Sequence, residues 1–159
     1  MKKILLAFTF LTIAFSQRGL AQNAAQDSLL PTLLSNYLHI KDALVAGNAA
    51  NASVSAGDFM KTLNGIDYKV ISEGNSNALL KYAGVIFDSK DINRQRIVFS
   101  RLSDNMIVVA KAVKLSDKEV LVEYCPMKKA SWLSVEKSIK NPYYGSSMLT
   151  CGSITETLK

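Results

Sequence analysis

The chain has 159 residues, a formal net charge of +6 and two cysteines. Hydrophobic residues make up 48% of it, which is enough to bury the core of one folded domain. The basic charge is not accompanied by an aromatic stacking set or a recognised nucleic-acid motif, so we expect no nucleic-acid partner.

The N-terminal residues 1–21 have the pattern of a secretory signal. Two lysines precede an apolar run from Ile4 to Phe15, and the small residues of Gly19-Leu20-Ala21 suit a cleavage site. Its removal leaves a single predicted domain, 22–159, with 16 basic residues against 13 acidic ones. The remaining chain has no apolar run near the roughly 20 residues of a transmembrane helix. We therefore predict an exported, periplasmic protein without a membrane span.

Two amphipathic helices are predicted first. Ser28 can cap a helix that has Pro31 in its first turn, and apolar residues then recur at three- and four-residue steps until Gly47. A second helix is predicted from about Asn48 to Leu63.

Two further helices follow, with apolar stripes over Ala78 to Phe87 and over Ile92 to Val113. Short loops and single apolar faces favour an antiparallel four-helix bundle over about 28–114. Within the last helix, Arg96 predicts either a solvated patch or a guanidinium that ties the bundle to the C-terminal residues by bonding loop carbonyls.

The pattern changes in the C-terminal region, 115–159. Val120 to Tyr124 predicts a short strand that Cys125-Pro126 ends, and the segment from Asn141 to Gly145 has the composition of a turn. We expect an irregular, partly β module on a mainly α fold. Three aromatic residues are expected to pack it onto the bundle or to present a partner surface: Trp132, Tyr143 and Tyr144.

Sulfur-containing side chains are concentrated in this module. Cys125 and Met127 are two residues apart, and Met148 and Cys151 are three apart, so each pair can direct its sulfurs to one side. Thiolates and thioethers prefer Cu(I), whereas zinc makes little use of methionine. These four residues are therefore predicted to bind Cu(I).

A disulfide between Cys125 and Cys151 is the alternative, because two cysteines in an exported domain most often pair. Closing this loop would stabilise the fold by roughly 3.5 kcal/mol. The protein would then be a non-catalytic interaction domain. The sequence alone leaves both interpretations open.

Several stretches resemble an exported domain of unknown function that often occurs with copper and silver efflux systems and is in some proteins fused to their periplasmic adaptor subunit. The stretches that carry the resemblance are Tyr37 to Val45, Gln95-Arg96 with Phe99, Leu102 and Ser103, Tyr124 to Met127, Ala130 to Ser134, Ile139 to Gly145 and Met148 to Gly152. The resemblance implies a helical domain with a Cys/Met-rich end that takes part in heavy-metal handling, with an efflux adaptor or another periplasmic protein as partner.

Two histidine positions bear on this interpretation. Relatives often carry a histidine where this chain has Val98, which would be one ligand fewer here. His39 is the only histidine in the chain and is included among the candidate metal ligands, although its place on the first helix is more typical of a helix-surface residue.

An enzymatic function is not expected. One histidine, no Gly-x-Ser-x-Gly motif and no paired-carboxylate context leave little from which to build a nucleophilic site. Cys-x-x-Cys is also absent, which argues against thioredoxin-like exchange. The leading hypothesis is an exported Cu(I) or Ag(I) chaperone or sequestration protein linked to efflux.

Overall fold

A computed structural model describes residues 28–159, in which four helices precede a small antiparallel sheet. The helices are α1, which covers 28–45 of the described chain, α2 (Ala49–Leu63), α3 (Glu73–Asp88) and α4 (Ile92–Ala112). The strands are β1 (Val120–Cys125), β2 (Ala130–Ser134) and β3 (Ser153–Leu158), with a short 3-10 helix at Gly145–Met148. The predicted signal, 1–21, lies outside the described residues.

Side-chain caps determine where three of the helices begin. Asn48, Ser72 and Asp91 each accept a hydrogen bond from a backbone N–H in the first turn of α2, α3 and α4, respectively. The Ser72 cap explains why α3 starts at Glu73, five residues before the apolar stripe that predicts it. The first turn of α3 is polar, so the apolar stripe marks only the buried part of this helix.

Contacts between helices show that neighbours run antiparallel. Ser53 near the start of α2 donates to the carbonyl of Phe87 near the end of α3, while Gly84 of α3 faces Met60 of α2. On α1, Asn36 donates to Thr62 Oγ1 near the end of α2, 2.9 Å away. The mainly helical, four-helix prediction is confirmed. Within residues 28–159, no helix is long and apolar enough to cross a membrane.

The C-terminal module is more regular than predicted, because it forms three strands in the order β2-β1-β3. β1 pairs with both neighbours in antiparallel register, with Glu123 opposite Trp132 and Cys125 opposite Ala130. β3 is exposed along almost its whole length, so it has no apolar alternation from which to predict it.

Tyrosine hydroxyls cover the outer edge of β2. Tyr37 Oη accepts from the backbone N–H of Leu133 at 3.0 Å and lies 2.7 Å from Ser103 Oγ, while the Tyr143 hydroxyl donates to the carbonyl of Ser131. These bonds satisfy edge groups that would otherwise be buried without partners. One hydrophobic core therefore continues from the helices into the sheet.

Candidate metal centre

The two cysteines meet at one end of the sheet. Cys125 is the last residue of β1 and is fully buried, whereas Cys151 precedes β3 and is partly exposed. Their Sγ atoms are 2.9 Å apart, and both residues are free thiols. A residue separation of 26 is thus closed by the sheet itself, since β3 pairs with β1 beside Cys125.

A tight turn at 126–129 connects β1 to β2 and surrounds the Cys125 sulfur. The backbone N–H of Lys129 donates to the Cys125 carbonyl at 2.8 Å, and Lys129 itself has φ +55°. Met127 projects from this turn with 66% of its surface exposed. The turn therefore places one thioether at the surface next to a buried thiol.

Hydrogen-bond donors around Cys125 favour its thiolate. Burial raises the pKa of this thiol, but hydrogen bonds from Cys151, from the backbone N–H groups of Lys128 and Met127 and from the Asn141 amide outweigh burial and lower the pKa below its usual value. The pKa of Cys151 is raised, first because its thiol is hydrogen-bonded to Cys125 and then by desolvation. The two thiols share one hydrogen bond, so they titrate as a coupled pair rather than as two independent groups.

The segment that carries Met148 and Cys151 folds back on itself. Met148 ends the 3-10 helix and is partly buried, and its carbonyl accepts from the Cys151 N–H at 3.1 Å. Gly152 follows with φ +152°, and a Cβ there would lie 2.8 Å from Cη2 of Trp132. The absence of a side chain at Gly152 lets the chain pass against the indole immediately after Cys151.

His39 is not brought to the cysteines by any contact in the described part of the chain. It is exposed on α1 and lines a groove with residues of α1, α2 and the loop between them, among them Asp42 and Asn51. No group of three or more His, Cys, Asp and Glu side chains within residues 28–159 could hold a metal. Among the described residues, the cysteine pair therefore has no imidazole or carboxylate partner that would complete a metal site of this kind.

Val98 lies near the turn that follows Cys125. It lines a groove between α4 and the 126–129 turn, together with Lys128 and Ala130. The position at which the sequence resemblance led us to expect a histidine therefore borders this turn. In this chain the position offers no ligand atom.

Arg96 bonds a backbone carbonyl, as one of the two predictions for it has it, but the carbonyl belongs to α1. Its Nη2 donates to the Leu44 carbonyl at the end of α1, 2.9 Å away, rather than to a carbonyl of the C-terminal module. The module approaches through Gly145, where a Cβ would lie only 2.5 Å from that nitrogen and 2.8 Å from the Val45 carbonyl. Arg96 thus contacts the module by packing.

The module's aromatic residues are core residues. Trp132 is fully buried and Tyr143 is 4% exposed, while Tyr144 is partly buried. The Trp132 and Tyr143 rings meet edge to face at 5.7 Å, and Tyr143 in turn lies 6.0 Å from Phe99 of α4. Of the two predicted roles for Trp132 and Tyr143, packing onto the bundle is the one that their burial supports.

Two buried polar groups near the cysteines could not be recognised from sequence. Asn141 is fully buried and its amide donates to the Cys151 carbonyl at 2.7 Å. Glu123 is fully buried on β1, two residues before Cys125, and within residues 28–159 its carboxylate oxygens have no well-formed hydrogen bond. The Asn141-Pro142 pair predicts a turn, and Glu123 interrupts an apolar strand. Neither pattern indicates what the Asn141 or Glu123 side chain contacts.

The environment of Glu123 favours its protonated form. Burial raises its pKa to about 7, although the charge of Lys41 and the neighbouring Ser134 and Trp132 side chains lower it. Lys41 comes from α1, is only 2% exposed and forms an ion pair with Asp42 at 2.9 Å. The buried carboxyl group therefore lies between the sheet and the first helix.

The comparisons with known proteins concern mainly the helices. A family model described as "Protein of unknown function (DUF3347)" matches residues 33–118, more than half of the chain. The chain belongs to this family. The matched DUF3347 region contains α2, α3, α4 and most of α1, and it ends before β1, so it does not include the cysteine pair. No curated protein and no solved structure matches the chain.

Proposed function

We propose that this protein binds Cu(I), or the chemically similar Ag(I), through Cys125 and Cys151 with Met127 and Met148 as thioether ligands. The observation that carries this proposal is the pairing of two free thiols, 2.9 Å apart, next to an exposed methionine. Soft sulfur donors without carboxylate or imidazole partners suit a monovalent soft ion better than zinc. The candidate centre does not include His39.

Binding requires the sulfur pair to open. Metal–thiolate bonds are about 2.3 Å long, so two sulfurs bound to one ion stand about 3.8 Å apart at a tetrahedral angle and about 4.6 Å apart on opposite sides of the ion. The present separation of 2.9 Å must therefore increase by about 1 Å to 2 Å. Cys151 is the residue expected to move, because it is partly exposed while Cys125 is buried at the end of β1.

The exposure of the sulfurs suggests the direction from which the ion arrives. Met127 is 66% exposed and Cys151 partly so, whereas Cys125 is inaccessible. An ion delivered from outside meets Met127 and Cys151 first and reaches Cys125 by exchange between ligands. This order suits a protein that receives and releases metal rather than one that holds it as a structural element.

The physiological setting of this proposal is an exported accessory protein of heavy-metal efflux, acting as a chaperone or a sequestration protein. Export is supported by the N-terminal signal pattern, and the link to efflux is supported by the sequence resemblance that includes both sulfur clusters. A periplasmic efflux adaptor is the partner that this setting favours. We propose no catalytic activity.

Cu(I) titration of the reduced 22–159 chain against a competing chelator tests the metal proposal. We expect one equivalent to bind, and we expect binding to be lost in the Cys125→Ser, Cys151→Ser double variant. Met127→Leu and Met148→Leu should weaken binding, whereas Met60→Leu, a change on the α2–α3 packing face, should not. Affinity should fall as the pH drops, because protons compete for the thiolates. Unchanged binding in the double cysteine variant would exclude this centre.

A disulfide-stapled interaction domain is the second candidate, favoured by the same short distance. A disulfide is about 2.05 Å long, so the two sulfurs need to approach by less than 1 Å to bond. Thiol counting on protein isolated without reductant separates the two functions. Two free thiols exclude a constitutive disulfide, whereas no free thiols before strong reduction argues against a resting metal centre.

A further inference from the structure

Asn141 occupies an unusual position in the segment that carries Cys151. It is fully buried, and five hydrogen bonds use its backbone and side-chain groups. Its backbone N–H donates to the Leu149 carbonyl at 2.8 Å, and its backbone carbonyl accepts from the Gly145 N–H at 3.0 Å. The two ends of the 141–151 segment are thus held together at one residue.

The side-chain amide has two separate roles. Its oxygen accepts from the N–H groups of Tyr143 and Tyr144, at 2.8 and 3.2 Å, and so builds the turn that follows Pro142. Its nitrogen donates to the Cys151 carbonyl at 2.7 Å. One planar group therefore fixes the turn with one atom and the second cysteine with the other.

The residue that this amide bonds is the one that meets the first cysteine, since the Sγ atoms of Cys151 and Cys125 are 2.9 Å apart. The sheet brings this part of the chain to β1, since Ser153 pairs with Tyr124, but Cys151 itself lies two residues before that pairing begins. Among the hydrogen bonds of residues 28–159, the Cys151 N–H bonds within its own turn, to the Met148 carbonyl at 3.1 Å, and the bond that joins Cys151 to residue 141 comes from the Asn141 amide.

We propose that Asn141 is a positioning residue that sets the location of Cys151 relative to Cys125 through its side-chain amide nitrogen. Partners that orient metal ligands from outside the coordination sphere commonly change metal affinity 10- to 100-fold when they are removed. The metal-affinity part of this inference rests on the proposed function. The positional part does not, because the bond to Cys151 exists in the metal-free protein.

Asn141→Asp separates the two roles of the side chain. The aspartate keeps an oxygen for the Tyr143 and Tyr144 N–H groups but faces the Cys151 carbonyl with a second acceptor instead of a donor. Asn105→Asp is the matched control. The Asn105 amide also donates to a backbone carbonyl, that of Arg101 at 2.8 Å, but this bond stays within α4.

Metal-free and metal-bound measurements are made on the 22–159 chain. In Asn141→Asp we expect the helical circular dichroism and the exchange protection of the Tyr143 and Tyr144 amides to be retained. Loss of the bond to the Cys151 carbonyl should loosen the turn in which the Cys151 N–H bonds to Met148, so the Cys151 amide hydrogen should exchange about tenfold faster. Cu(I) affinity should fall about 10- to 100-fold. Asn141→Ala, which adds no charge, should lower the affinity in the same direction, and Asn105→Asp should change neither quantity more than twofold.

Three results would overturn the proposal: wild-type exchange at Cys151 in Asn141→Asp, a fall in affinity that Asn105→Asp reproduces, or loss of cooperative folding in Asn141→Asp, which would make Asn141 a structural residue. If the wild-type chain itself fails to bind Cu(I), the proposed function fails. The exchange measurement then still decides whether Asn141 positions Cys151.

Discussion

The helices and the C-terminal module treat buried polar groups differently. In the helices, Gln95 is fully buried and its amide nitrogen reaches the carbonyls of Ala49, Ile86 and Ser89 at 2.8–3.1 Å. Within residues 28–159 its amide oxygen and the Nε atom of Arg96 are buried without a hydrogen-bond partner, so the bonded and unbonded atoms there belong to a neutral amide and a guanidinium. In the module, the Glu123 carboxylate and the Trp132 indole nitrogen are buried without a well-formed hydrogen bond inside residues 28–159. The Gln95 amide nitrogen bonds backbone carbonyls at helix ends. Burial of the Glu123 carboxylate, in contrast, costs desolvation energy.

This difference distinguishes the role of the helices from that of the C-terminal module. Gln95 is a neutral amide whose nitrogen bonds helix ends, whereas the Glu123 carboxyl is ionisable and burial raises its pKa. Glu123 lies on β1, two residues before Cys125, and pairs with Trp132 on β2. The module thus carries a buried carboxyl group that can change its charge on the same strand as the buried thiol.

The two regions are joined by a row of aromatic rings in contact. Tyr37 of α1 stacks on Phe99 of α4 at 5.2 Å, Phe99 contacts Tyr143 at 6.0 Å, and Tyr143 meets Trp132 at 5.7 Å. This row is therefore the junction between the helices and the module.

Phe99→Ala should break the junction. Phe99 is fully buried between rings from both regions, so its truncation should lower the free energy of unfolding by about 3–5 kcal/mol. Phe87→Ala is the control, because that ring is 47% exposed and lies beside Gly57 of α2 rather than at the junction, so its truncation should cost far less. Denaturant unfolding followed by both helix ellipticity and Trp132 fluorescence measures the effect. If both probes report the wild-type free energy of unfolding for Phe99→Ala, the stability of the two regions does not depend on this ring.

Glu123 should make stability depend on pH. Its pKa rises from an ordinary 4.5 to about 7 on folding, so the folded state holds a proton that the unfolded state releases. The contribution of Glu123 to the free energy of unfolding should therefore be most favourable below about pH 4.5. It should become less favourable by up to about 3 kcal/mol as the pH rises to about 7.

The measurement is the free energy of unfolding between pH 4.5 and 8. Glu123→Gln should flatten this dependence, while the exposed Glu73→Gln on α3 should keep it. A wild-type slope that survives in Glu123→Gln would assign the pH dependence to other groups and would remove this contrast between the regions.

Gly145→Ala should test how closely the module approaches the helices. Its Cβ would lie 2.8 Å from the Val45 carbonyl at a φ of +55°, whereas Gly47 has a φ of +70° but open space around it. Gly47→Ala should cost about 1–2 kcal/mol for the left-handed backbone alone. Gly145→Ala should cost about 2 kcal/mol more because it adds the overlap. Equal costs, measured by thermal unfolding, would mean that the interface adjusts freely.

Periodicity predicted the helices because each has one apolar face that must be buried, and that requirement is written locally in three- and four-residue steps. It placed the end of α2 at Leu63 and the start of α4 at Ile92, as the structure has them. It missed the first turn of α3, which is polar, and it missed β3, which is exposed and pairs with a strand distant in sequence. Exposed or polar segments leave no local hydrophobic signal.

The sequence by itself determined that four helices would form and that both cysteines and two methionines are concentrated in the last third of the chain. Only the tertiary structure decided that Cys125 and Cys151 meet at 2.9 Å, that His39 lies in a groove between α1 and α2, and that the buried Asn141 amide bonds the Cys151 carbonyl. The physical reason is that these contacts depend on strand pairing across 26 residues and on buried polar partners. Such contacts arise when the chain folds back on itself, and no local pattern of residues encodes them.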